Sequence, residues 1–546
     1  MTLLSAVVHG LWLGAALPEA GRFFRDTARL RDTQLAILRT ILRGNADTAF
    51  GRQHGFADIR SHDDYRKRVP LHTWDEVVPY VERLAGGEAN VLTAAAVRLL
   101  EPTGGSAGGR KLIPYTAALQ GEFHRGIAPW IVDLYRHYPG MVAGRSFWSI
   151  SPQGFHPERS RGGIPVGFAD DSEYLGWNGR LLGAAMAAPR SLTRVEEMDD
   201  FRLLLAERLV RCRDLALISI WSPTFLLPVL DIIERDAPAL LRSLFEGRLI
   251  PPSGRPLPDA FRPRVDRRRA REVEAALARP EAERFAALWP RLAVLSCWTA
   301  GPSARYAAQL ANRFPGVAMQ GKGLLATEGM VTLPLVAAGG AVPAYRSHFL
   351  EFLADDGATL LADELATGAT YRVVLTTGGG LYRYDIGDRV TVTGTHRGLP
   401  VLSFIGRERV SDRCGEKLAA AHVADAVEKA LGAAGVAARF VLLAPEENGS
   451  GIRYALFVET RHAPLPDAHR VLVETLDGEL NRNPHYAHCR RLGQLERPAV
   501  VTIAGGGLAA YQARCAREQR LGDIKPAVLD ARTGWREWFE RESMRA

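Results

Sequence analysis

The run Glu101-Pro102-Thr103-Gly104-Gly105-Ser106-Ala107-Gly108-Gly109-Arg110-Lys111 decides how the rest of the chain is read. Its last nine residues hold four glycines, two hydroxyls and a terminal lysine. Glycines let backbone N–H groups converge on an anion with no Cβ in the way. Hydroxyls at Thr103 and Ser106 can donate to phosphate oxygens, and Lys111 can reach the outer phosphates. The spacing is not that of a Walker A loop, because Leu112 follows Lys111 where that motif needs Ser or Thr. Apolar residues 91–100, a strand or the approach to one, lead into the run and Leu112-Ile113-Pro114 leave it, so the pattern is strand, glycine-rich loop, strand. Taken alone, it reads equally well as a flexible hairpin or linker.

Working outward, residues 34–42 read as a helix, and 56–79 as short polar–apolar alternation broken by turn residues. Residues 215–220 and 292–298 are apolar runs of the buried-strand type. An apolar helix spans 224–235, and a charged, alanine-rich stretch at 262–288 reads as a surface helix. Residues 371–377 and 389–393 are β-branched strands around the turn Gly378-Gly379-Gly380. Beyond Lys417 the order is helix, strand, strand, helix, strand. The fold class is therefore α/β: a large N-terminal domain of mixed sheets and helices, and a small α+β C-terminal domain. Boundaries fall at 1–406 for the large domain, 407–410 for a hinge and 411–546 for the lid.

The 546 residues suit two or three domains, and 47% hydrophobic with 24% charged residues is ordinary globular composition. The net charge of +8 is spread thinly, and Arg267-Arg268-Arg269 is followed by Glu272 and Glu274. With no zinc-finger spacing or aromatic–basic RNA motif, this is a solvated arginine-rich surface and not a nucleic-acid face. Five dispersed cysteines with no CxxC pair fit a reducing cytoplasm and argue against disulfides or a zinc site. Residues 3–17 are apolar but lack a basic leader and are too short to span a bilayer, so they read as an amphipathic helix docked on the domain, with association at a membrane surface as the alternative. Only six of the 69 basic residues are lysines: Lys67, Lys111, Lys322, Lys417, Lys429 and Lys525. A lysine kept in such a chain points to a place where a compact charge differs from a planar fork.

The loop resembles the phosphate loop of adenylate-forming enzymes, and its continuation Lys111-Leu112-Ile113-Pro114-Tyr115 resembles one branch, the auxin-responsive Gretchen Hagen family of acyl acid amido synthetases. The resemblance continues in Phe147-Trp148-Ser149-Ile150-Ser151-Pro152 and in Gln320-Gly321-Lys322-Gly323-Leu324-Leu325-Ala326-Thr327-Glu328-Gly329. It ends in Tyr382-Arg383-Tyr384-Asp385-Ile386-Gly387-Asp388 and Gly415-Glu416-Lys417-Leu418. These motifs keep their order over nearly the whole chain and look most like those of bacterial members.

The resemblance implies an ATP- and Mg2+-dependent ligase. Thr103, Gly104, Gly105, Ser106, Ala107, Gly108 and Gly109 would cradle phosphate, with Lys111 assisting catalysis. Thr327 would contact the adenylate and Glu328 bind Mg2+, a hard cation that takes carboxylate oxygen. Asp388 would accept both ribose hydroxyls, and Arg407 and Lys417 would contact the nucleotide from the hinge and beyond it. Lys525, in Gly522-Asp523-Ile524-Lys525-Pro526, would be the catalytic lysine of a mobile loop, although Asp and Ile precede it where relatives carry Gln. Each residue has a plainer reading: an N-capped helix start at Thr327, a turn at Gly387-Asp388, surface charge at Arg407, Lys417 and Lys525. Lys322 meets either a substrate carboxylate or a protein acid.

The function implied is adenylation of a small carboxylic acid, then transfer of the acyl group to an amine, an amino acid in the family. The alternatives are thioester formation with CoA and a nucleotide-binding homologue without catalysis. The expected partners are the acid and the amine, with no nucleic acid, no stable membrane insertion, and a monomer or weak dimer.

Overall fold

The apolar runs on either side of the glycine-rich loop form an antiparallel pair, Val97–Gly104 and Arg110–Thr116, with Thr103 opposite Lys111. This computed structural model describes residues 3–104, 110–150, 158–167, 183–407, 410–448, 451–460, 466–517 and 521–543. Gly105, Ser106, Ala107, Gly108 and Gly109 lie outside the described residues. The helix Ala117–His137 follows directly, its first turn capped by the Thr116 hydroxyl, which accepts from the Leu119 N–H at 3.1 Å.

The chain divides into two units: Met1–Ile405 with Gln519–Asp523, and Gly406–Glu518 with Ile524–Ala546. The first contains a four-stranded sheet in the order Arg145–Trp148, Leu215–Ser219, Val294–Cys297, Ala318–Gly321, parallel throughout. Its two central strands are buried along their whole length, which is why they read as unbroken apolar runs. A seven-stranded sheet runs in the order Thr332–Leu335, Gly340–Pro343, Leu399–Arg407, Tyr384–His396, Thr370–Thr376, Phe349–Leu353, Thr359–Leu360. Between Thr370–Thr376 and Tyr384–His396 the register slips: Arg372 pairs with Arg389, but Val374 pairs with Asp385. The extra residues form a bulge in which Gly387 takes φ 75°, a conformation that favours glycine.

Two stretches differ from the sequence reading. The stretch 56–79 holds helices, His62–Arg68 and the start of Trp74–Ala85, each opened by a capping box, Ser61 with Asp64 and Thr73 with Glu76. Capping overrides the short alternation. The stretch 262–288 is two helices, Arg267–Leu277 and Glu281–Leu288, separated at Pro280. They are not simply surface-facing, since Ala270, Val273, Phe285 and Leu288 are fully buried. The apolar stretch 91–100 is an approach followed by a strand, which begins at Val97.

The N-terminal helix, Leu3–Arg25, docks as its pattern implies: Val8, Trp12, Ala16, Ala20 and Phe23 are buried at helical spacing. Among the described residues, no helix is long and apolar enough to cross a membrane.

The second unit is a three-stranded sheet, Ala438–Asn448, Gly451–Thr460, Ala499–Ile503, with helices Ala420–Ala433 and Pro466–Leu480. The first two strands are antiparallel and the last two parallel. Val423, Val427, Leu456, Val458, Leu472 and Leu476 share its core.

Arg383, in the turn before the strand Tyr384–His396, locks part of the first unit. It is buried at φ 44°, pairs with Glu351 at 3.0 Å, and donates to the Val69 carbonyl at 2.9 Å and the Thr359 hydroxyl at 3.0 Å. Removing one partner strands the buried charge of the other. Arg383→Met is therefore expected to destabilise this unit by about 3–5 kcal/mol, read as a lower urea midpoint in tryptophan fluorescence.

Candidate functional site

Segments far apart in sequence meet beside the hairpin. Lys111 Nζ donates to the Tyr384 hydroxyl at 3.1 Å and lies 5.5 Å from the Trp74 ring centroid and 5.8 Å from that of Tyr384. These aromatic faces favour a cation held on the hairpin's second strand. Four residues on, Tyr115 donates its hydroxyl to the Thr327 carbonyl at 2.7 Å. The hairpin is thus tied both to the strand that carries Asp388 and to the Thr327-Glu328 turn.

That turn is the two-residue tip of a short hairpin, with Ala326 opposite Gly329 and Leu325 opposite Met330. It is not an N-capped helix start. Gly329 leaves no slack, because a Cβ there would meet His348 Nε2 at 3.0 Å. Glu328 is only 2% exposed, yet its carboxylate has no hydrogen bond or ion pair with any described residue. A buried carboxylate with no protein partner is costly, and a cation is the natural partner for it. Its oxygen donors are of the type Mg2+ takes.

A buried carboxylate and imidazole fix the turn. The Glu122 carboxylate accepts the Gly378 N–H at 2.9 and 3.1 Å and lies 2.7 Å from His348 Nδ1. The Met330 N–H donates to His348 Nε2 at 2.9 Å. This bond assigns the ring proton to Nδ1, facing Glu122. The sequence reading missed Glu122, His348, Tyr115 and Tyr384 as positioning residues. Tyr115 and Tyr384 stood inside quoted motifs, but an isolated Glu in a helix and an isolated His carry no spacing signal.

Asp388 is 1% exposed at the end of the bulge; among the described residues its Oδ2 accepts no hydrogen bond, while other interactions engage the residue. Asp385 takes the Gly387 N–H at 2.8 Å, which holds the bulge. Thr103 is half-buried opposite Lys111, and Gly104 opposite Arg110 closes the described part of the hairpin.

Arg407 ends the strand Leu399–Arg407. Lys417 and Lys525 belong to the second unit. Lys417 is exposed at φ 44°, its carbonyl accepting from Asn483 Nδ2 at 3.0 Å. Lys525 is exposed between buried Ile524 and Pro526, with its carbonyl held by the Tyr511 hydroxyl at 3.0 Å.

Beside Lys417, the structure gathers groups that the sequence reading kept apart. Ligand atoms of Cys414, Glu416 and Cys489 lie within 4.8 Å of one another. Burial pushes the Cys414 thiol up to about 12, with the Glu416 charge adding to it. The Glu416 carboxylate is already taken by the Tyr454 hydroxyl and the N–H groups of Arg413 and Cys414. The cluster is therefore a hydrogen-bonded knot of two thiols around an engaged carboxylate. Burial pushes the Glu416 carboxyl up, but the Tyr454 and backbone donors outweigh it and hold it below its ordinary 4.5. A depressed carboxyl contributes stability above its unfolded pKa and loses it as pH falls through the folded value. Glu416→Gln is expected to cost the second unit about 1–3 kcal/mol at pH 7. In thermal melts, the gap to wild type should narrow once the pH drops below 4.5.

Family models match in order along the chain: the GH3 family N-terminal domain over residues 19–319, its central domain over 341–407 and its C-terminal domain over 421–530. A probable indole-3-acetic acid-amido synthetase from Oryza sativa subsp. japonica is 26% identical over 436 residues, 70% of each chain. An indole-3-acetic acid-amido synthetase from Arabidopsis thaliana is 22% identical over 493 residues, 82% of this chain and 85% of that one. The fold matches that of the acyl acid amido synthetase AtGH3.15 in complex with 2,4-DB, with a TM-score of 0.83 at 19% identity, covering 97% of this chain and 96% of that one. A 2-hydroxyisobutyryl-CoA ligase in the postadenylation state matches less well, with a TM-score of 0.52 at 13% identity over 95% and 92% of the two chains.

Proposed function

The chain belongs to the GH3 family of adenylate-forming ligases, and on that premise we propose that it activates a small organic acid as acyl-AMP and passes the acyl group to an amine. In the first step a carboxylate oxygen attacks the α-phosphorus of ATP and the bond to pyrophosphate breaks. In the second the amine nitrogen attacks the acyl carbon, the C–O bond to AMP breaks, and the amine proton is lost to solvent. An amine acceptor fits the amido synthetases to which the chain is similar, and the family resemblance makes that amine an amino acid.

The observation that carries this reading is Glu328, a buried carboxylate with no partner among the described residues, at a turn tied to the Lys111 hairpin. Mg2+ bound there supplies positive charge against the phosphates. Lys111 and the backbone around Thr103 offset further phosphate charge, and Asp388 takes the ribose hydroxyls. Arg407, Lys417 and Lys525 are assigned to the nucleotide on resemblance, with 407–410 as the hinge. The five free cysteines suit the cytoplasm.

The test is pyrophosphate release with Mg-ATP over a panel of organic acids, with and without an amino-acid mixture, and with CoA in place of the amines. Wild type releases pyrophosphate on at least one acid, amines rather than CoA speed turnover, and Glu328→Ala lowers the rate on the order of 100-fold. Lys525→Ala lowers it as well. Because the Glu328 carboxylate has no partner to lose among the described residues, Glu328→Gln is expected to melt no lower than wild type. Failure to bind ATP, together with silence on every acid, would overturn the reading.

A further inference from the structure

Lys322 is a buried lysine that the adenylation chemistry leaves without a role. Its backbone is held between two glycines with no room to spare. A Cβ at Gly321 would meet Thr299 Oγ1 at 2.5 Å, and Gly323 sits at φ 71° against Thr332 and Ala341. The side chain is 4% exposed. Its Nζ donates to the Ser219 hydroxyl at 2.7 Å and lies 4.8, 5.5 and 4.9 Å from the ring centroids of Trp130, Trp148 and Trp221. Three indole faces make a box suited to a cation in a water-poor place.

The box stands at one end of a polar row. In the parallel sheet Trp148 pairs with Ser219, Ser219 with Ser296, and Ser296 with Gln320. Residues in register on neighbouring strands face the same way, and Lys322 lies two residues beyond Gln320. All four positions fall at the carboxyl ends of their strands, the edge where open α/β sheets bind ligands. Ser296 is fully buried and Gln320 is 8% exposed. Among the described residues, Ser296 Oγ, Gln320 Nε2 and Trp148 Nε1 have no hydrogen-bond partner. Buried donors and acceptors of this kind are normally satisfied, so a row of them at a ligand-binding edge points to a ligand. Tryptophan walls suit a flat or apolar body, and the ammonium with amide and indole donors suits an anion.

We propose that Lys322 and its tryptophan box bind a second anionic group of the acid substrate, one remote from the carboxyl that is activated. The inference rests on the ligase reading above and names its substrate class: an aromatic or short aliphatic acid with a second carboxylate. The reacting carboxylate loses its charge when it becomes a mixed anhydride. A fixed buried ammonium beside it would favour the ground state and then be left facing a neutral group. A second carboxylate keeps its charge through both steps, so the ammonium holds the substrate equally throughout.

The experiment titrates the full-length protein with matched pairs, benzoate against terephthalate and hexanoate against adipate, and follows tryptophan quenching. Wild type, Lys322→Met and Lys322→Gln are compared after thermal melts establish that each is folded. Wild type is expected to bind the diacid of at least one pair about tenfold or more tighter than its monoacid partner. Both variants are expected to bring the pair within about twofold, with monoacid and ATP affinity unchanged. Equal affinities in wild type, or no quenching by any of the four, would overturn the proposal. So would an equal loss for monoacid and diacid in the variants, which would put the ammonium on the reacting carboxylate. ATP–pyrophosphate exchange with a mixed pool of organic acids, run on wild type alongside, scores the ligase reading separately.

Discussion

A single carboxylate, Glu122 in the helix Ala117–His137, holds the candidate site together. It anchors the Gly378 backbone directly and the Thr327-Glu328 hairpin through His348 and Met330. Gly378 must be glycine, since a Cβ there would sit 2.6 Å from Glu122 Oε1. The helix begins at the end of the hairpin that carries Lys111, so one buried charge connects that hairpin, the Thr-Glu turn and the strand connection before Asp388. Its own desolvation is offset by charge-assisted bonds from a backbone amide and an imidazole. Glu351 plays a parallel part beneath Arg383, whose unusual backbone conformation sets the direction of the strand carrying Asp388.

What the sequence made legible follows from local rules. The strand–loop–strand pattern around Thr103 and Lys111 and the buried runs at 215–220 and 292–298 needed only periodicity and glycine content. The stretch 56–79 was misread because capping by Ser61 and Thr73 outweighs short alternation. Thr327-Glu328 was recognisable only by resemblance. Its turn is set by Tyr115 and His348, which approach from distant segments. Glu122 was illegible for the same reason, since an acid on a helix looks solvated until tertiary contacts bury it.

Two of the six lysines sit in surroundings unlike a solvated surface. Lys111 is seated between Trp74 and Tyr384, and Lys322 inside three tryptophans from separate elements. A planar guanidinium would fill neither place in the same way. Lys429, by contrast, makes ordinary surface pairs with Asp425 and Glu479. The cysteines carry the opposite lesson: their spacing in sequence said nothing about the meeting of Cys414 and Cys489 around Glu416.

The central claim is that an acid oxygen is joined to the α-phosphorus of ATP. Turnover of a carboxylate labelled with heavy oxygen, with mass analysis of the phosphorus products, tests this most directly. The account predicts one labelled oxygen in AMP and none in pyrophosphate, because the amine breaks the acyl C–O bond and leaves the bridging oxygen on phosphorus. Label in inorganic phosphate or pyrophosphate, or unlabelled AMP alongside amide product, would contradict it.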